Sequence, residues 1–140
     1  MGRFDATLLD NDGLFNTLLS AIAIEGETVG AELDEGSYAG IPFISHFSTA
    51  AQDLNGPAGW LGTLTVNIFV DAANGFAVAR RFYAGIHAWN EPGVGVIPGI
   101  GGITEIGDIS AFARIGGVVQ MEAKSVVQYT GSFEYAATNH

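Results

Sequence analysis

The chain has 140 residues, 48% of them hydrophobic, 14% charged and none cysteine. That length and apolar content suit one domain with a core of its own and exclude a disordered chain. Five basic residues against 15 acidic ones leave a formal net charge of -10, which excludes free nucleic-acid binding, because phosphate contacts need clustered lysine and arginine.

Residues 1–11 read as an N-terminal arm and 12–136 as a single domain. Asp10-Asn11-Asp12-Gly13 offers capping oxygens. Leu14, Phe15, Leu18, Leu19 and Ile22 follow at the spacing of one helix face that ends before Gly26. Thr28 to Leu33 predicts a short edge strand, and Ile41 to Ser48 another, with Pro42 at its tolerant end. Ala50 to Gly59, which contains Asn55-Gly56-Pro57, predicts a loop. Trp60 to Val70 alternates as a strand does, Leu64, Val66, Ile68 and Val70 on one face and Thr63, Thr65, Asn67 and Phe69 on the other. Asp71 opens a helix running to about Trp89. Its core face holds Phe76, Ala79, Phe82, Tyr83, Ile86 and Trp89, while Arg80, Arg81 and His87 lean outward. Glu91 to Gly102 has two prolines and five glycines among twelve residues and predicts a mobile loop. Ile103 to Ile115 predicts a strand that pairs with the last one through a Gly116-Gly117 turn.

The last strand pattern is the longest. From Val118 to Tyr135, Val119, Met121, Val127, Tyr129, Phe133 and Tyr135 alternate with Gln120, Glu122, Lys124, Gln128, Thr130, Ser132 and Glu134. Eighteen such residues, at about 3.3 Å each, would span roughly 60 Å. The strand therefore either carries a bulge, near Gly131, or projects toward a neighbouring subunit. Together these elements predict an α+β domain: a mainly antiparallel four- to five-stranded sheet with two helices packed on one face.

The chemistry of known site types is mostly missing. Gly93 to Gly102 lacks the Gly-Lys-Ser/Thr ending of a phosphate loop, and its glycines miss the dinucleotide spacing. Asp10-Asn11-Asp12-Gly13 resembles the start of a calcium loop, yet Leu14 and Leu18 stand where later oxygen ligands belong. His46, His87 and His140 form no His-x-x-x-His pair, and no Gly-x-Ser-x-Gly elbow is present. Glu25, Glu27, Glu32, Asp34 and Glu35 make an acidic cluster rather than an acid–base pair. No catalytic, cofactor or metal residue is assigned. Neither a signal-peptide stretch nor an apolar run long enough for a bilayer occurs, so synthesis in the cytoplasm is expected. A small ligand-binding domain would need a pocket lined by His46, His87 and Trp89.

Four segments carry a family resemblance. These are Ile41-Pro42-Phe43-Ile44-Ser45-His46-Phe47, the strand from Trp60 to Val70, the helix through Arg81-Phe82-Tyr83, and Gln128 to Tyr135 near the C-terminus. In this order the chain resembles the tail terminator proteins of long-tailed phages, the family that includes the lambda terminator. The Pro92–Gly102 loop and the N-terminal arm depart from that pattern. The resemblance implies a virion protein at the head-proximal end of the tail, made in the host cytoplasm. It implies a hexameric ring that caps the tail tube, ends tube polymerisation and joins the tail to the head connector. Its partners would be further copies of itself, the tail-tube protein and the connector or stopper protein. Genomic DNA would pass through without specific binding, helped by the negative charge. A tail-tube or other head–tail connector subunit is the nearest alternative. The expected interface residues are Arg80 and Arg81, the densest positive charge, with Lys124, and Asn55, Gly95 and Gly99 in the two loops.

Overall fold

The structure, a computed structural model, describes residues 9–31, 42–52, 59–121 and 124–138, and the side chains of all of these except 52 and 118–124. Helix α1 covers Asn11–Ile22 and α2 covers Gly75–His87, followed by a single 3-10 turn at Ala88–Asn90. The strands are β1 (Thr28–Gly30), β2 (Phe43–Gln52), β3 (Trp60–Asp71), β4 (Val96–Ile97), β5 (Gly101–Met121) and β6 (Lys124–Thr138). They form one six-stranded sheet in the order β1-β2-β3-β6-β5-β4. The protein is an α+β domain. Its sheet is mixed rather than purely antiparallel, because β1 runs parallel to β2 while every other pair is antiparallel. β1 falls within the edge strand expected at Thr28 to Leu33; the added strand is β4, whose two residues are too few to show a period of two.

Helix α1 forms where its capping chemistry places it. The Asp10 carboxylate accepts from the Gly13 amide at 3.0 Å, and Leu14, Phe15, Leu18 and Leu19 are buried. Helix α2 starts at Gly75, four residues later than the apolar spacing suggested, after a turn in which the Asn74 amide hydrogen-bonds Asp71. Both helices lie on the same face of the sheet, and their buried residues join Leu64, Val66, Ile68 and Val70 of β3 in one core. Phe76 does not belong to it. It is 68% exposed, and the buried stripe of α2 is Gly75, Val78, Ala79, Phe82 and Ile86.

Strands β5 and β6 make a long hairpin, and the expected Gly116-Gly117 turn is not its turn. Pairing continues to Met121 and Lys124. Gly116 instead takes φ 67° within a register shift between Ile115 and Val119, a bulge that uses glycine's freedom in the left-handed region. Further shifts fall between Ile103 and Glu105, Asp108 and Ser110, and Ser110 and Ala113. Every one places its extra residues on β5, so no bulge interrupts β6 near Gly131. Gly131 serves packing instead: a Cβ there would come within 3.0 Å of the Phe112 ring.

The segment from Glu91 to Gly102 is also more ordered than its composition suggested. Gly95 is buried, a Cβ on it would meet Trp89 and Ile103, and its carbonyl accepts the Ile103 amide at 2.8 Å. Asn90 then caps the free edge of β5, its side chain donating to the Ile106 carbonyl and accepting from the Ile106 amide, both at 2.9 Å.

Candidate functional site

Two surfaces stand out, one on each side of the sheet. On the side away from the helices, strand register lines up residues in rows across β2, β3, β6 and β5. Phe47, Thr65, Ser132 and Ser110 form one row, Thr49, Thr63, Glu134 and Gly107 the next, and Ala51, Leu61, Ala136 and Glu105 the third. Ser45, Asn67, Thr130 and Ala113 lie on the other side of the first row, with Phe43, Phe69, Gln128 and Ile115 beyond them.

Hydroxyl and amide groups bond across these rows. Thr49 and Thr63 are joined at 3.0 Å, and the Asn67 side-chain oxygen accepts from Thr130 at 2.6 Å and from Gln128 at 3.1 Å. Phe43, Phe69 and Val126 are buried at one end of the face. Toward the other end the face is open, with Phe47 and Leu61 more than half exposed. A hollow of about 360 Å³ lies there, edged by Glu105 and Glu134. Those two carboxylates are the charges in the rows, which contain no lysine or arginine. Lys124 begins β6 beyond the end of β3, and its side chain lies outside the described residues.

On the helix side, α2 and the hairpin enclose a groove of about 310 Å³ floored by Ala79, Phe112 and Tyr129, with Phe76, Arg80 and Arg114 around it. Both arginines are exposed, and among the described residues neither has an ion-pair partner. Arg81, one residue away, is placed differently. It forms a two-pronged pair with Glu27 and donates to the Ile22 carbonyl at 3.1 Å, which ties α2 to the end of α1. Expected to lean outward, Arg81 has this partner within its own chain. Gly95 is likewise used within the chain, against Trp89 and Ile103. Gly99 sits in an exposed turn with φ 87°, and Asn55 lies outside the described residues.

His87, partly exposed as expected, is also paired within the chain. Its Nε2 lies 2.7 Å from Asp108, whose other oxygen accepts from the Tyr83 hydroxyl at 2.5 Å. The hydrogen bond from Tyr83, with a smaller contribution from His87, holds the Asp108 carboxyl below the usual carboxylate range. Asp108 in turn raises the Tyr83 hydroxyl above its ordinary value. The cluster fastens α2 to β5, a role that needs no reacting group. His46 faces a different neighbour, Asn16, at 3.1 Å.

His46 is 1% exposed, and burial lowers its pKa from 6.5 despite the opposing charge of Asp12. A histidine kept neutral in the fold but free to protonate when unfolded adds stability above pH 6.5 and loses it below. We expect the melting temperature to fall as pH drops from about 7 to 5. His46→Gln should remove that slope and leave the loss at lower pH, where the Asp108 carboxylate, held below the usual carboxylate range, is finally protonated. A wild-type slope that survives the substitution would show that another group drives it.

Arg114, Asp108 and Asn90 were not found by sequence reasoning. The bulges in β5 break the alternation that would have marked which of its residues share a face.

No protein-family model and no curated protein matches the chain. Among the solved structures that match is one that aligns over 89% of both chains at 9% identity with a TM-score of 0.37, too little agreement to carry an argument.

Proposed function

We propose that this chain is a structural subunit of a phage virion, a tail terminator. In this reading, copies of it form a hexameric ring that caps the tail tube, ends its polymerisation and joins the tail to the connector or stopper of the head. The observation that carries the reading beyond the sequence resemblance is the open face of the sheet. It is rich in hydroxyls, acidic where charged, and free of cations in every row that β2, β3, β5 and β6 share. DNA binding without sequence preference rests on lysine and arginine contacts to phosphate. A face that offers hydroxyls and two carboxylates instead suits the wall of a channel through which DNA slides, with the arginines on the opposite side available to protein. No residue has a catalytic role here, and no cofactor is required.

The length of the β5–β6 hairpin also suits a tube or connector subunit, since β5 runs 21 residues and can reach beyond one protomer. One measurement separates these readings. An electron cryo-microscopy map of the virion should show a single six-fold layer of this chain between tube and head. Repeated layers along the tail would make it a tube protein, and its absence from the virion would remove both.

A further inference from the structure

We infer that the apolar groove between α2 and β5 receives the α1–β1 turn of a second copy of this chain, so that each subunit docks one flank into the opposite flank of the next. This deepens the ring reading and rests on it. The groove is floored by Ala79, Phe112 and Tyr129 and flanked by Arg80 and Arg114, two exposed guanidiniums with no ion-pair partner among the described residues, on a chain of net charge -10. What fits it is an apolar side chain beside a carboxylate. The α1–β1 turn offers that combination: Ile24 is 59% exposed, Glu25 beside it is exposed, and Gly26 with φ 92° turns the chain so that both stand at the surface.

The two surfaces lie on opposite sides of helix α2. The turn lies on the α1 and β1 side, next to Arg81 and Asn74, while the groove lies on the β5 side of the same helix. A contact between unlike surfaces on opposite flanks repeats head to tail, and it closes into a ring when the rotation allows. The edge of β5 gives no competing route. Asn90 and Gly95 occupy its first part, and bulges distort the rest, which discourages strand addition.

The test is sedimentation of the purified full chain at low ionic strength over a wide concentration range. Wild type should form oligomers larger than a dimer. Arg80→Glu with Arg114→Glu should weaken self-association roughly tenfold or more, and so should Glu25→Arg alone. Combining all three should restore it, and the differences should shrink in high salt. Unchanged melting curves would establish that each variant is folded, as expected for exposed residues without partners among the described residues. Two results overturn the inference: wild type that stays monomeric throughout, or assembly indifferent to the reversals. The second would leave a ring built through another surface, so the terminator reading would still stand or fall on the virion map.

Discussion

Replacing Phe133 by Ala is expected to lower the free energy of unfolding by about 3–5 kcal/mol. The ring is fully buried in the centre of β6, with the Phe112 ring 5.7 Å away and those of His87 and Tyr83 at 6.3 and 6.4 Å. Removing it opens a cavity between α2 and the hairpin, the two elements that form the groove. A domain of this size has roughly 5–15 kcal/mol in all, so the variant should stand near its unfolding threshold. Urea denaturation should show a lower midpoint with an unchanged slope. Phe76→Ala is the matching control. The helical spacing puts Phe76 in the core, but with 68% of its surface exposed its loss should cost less than about 0.5 kcal/mol. Equal costs for the two phenylalanines would mean that α2 is rotated from the packing described.

The contrast between these residues shows where the sequence could be read and where it could not. Helix α1 is legible because local forces decide it: Asp10 caps it, and its apolar spacing has no rival. Strand β3 is legible because Leu64, Val66, Ile68 and Val70 alternate without interruption. Helix α2 carries more apolar residues than one face can bury, so periodicity alone could not settle that Phe76 is left out. Gly116-Gly117 has the composition of a turn, but a bulge asks for the same left-handed backbone, and only the partner strand distinguishes the two. The open face was half legible. Its hydroxyls are visible along β3 and β6 separately, whereas their alignment into rows, and the absence of cations between them, depends on register across four strands.

The adjacent arginines sharpen the same point, and their reversal is expected to have opposite results. Arg81→Glu should cost about 3 kcal/mol, the low end of what breaking a buried ion pair costs, because Arg81 itself keeps 30% of its side chain in solvent. Glu27 is the buried member, with 4% of its side chain exposed. Reversal would face it with a second carboxylate and leave the Ile22 carbonyl at the end of α1 without its donor. Arg80→Glu removes no ion-pair partner among the described residues and should stay within about 0.5 kcal/mol of wild type. Chemical denaturation of the two single variants measures both, and adding Glu27→Arg to Arg81→Glu should recover part of the loss. Any assembly defect of the Arg81 variant would then report a weakened fold, whereas one in the Arg80 variant, at unchanged stability, would report a surface that another molecule covers. A stable Arg81 variant would instead place that residue with Arg80 among the free charges of α2 and move the holding of α1 to other contacts.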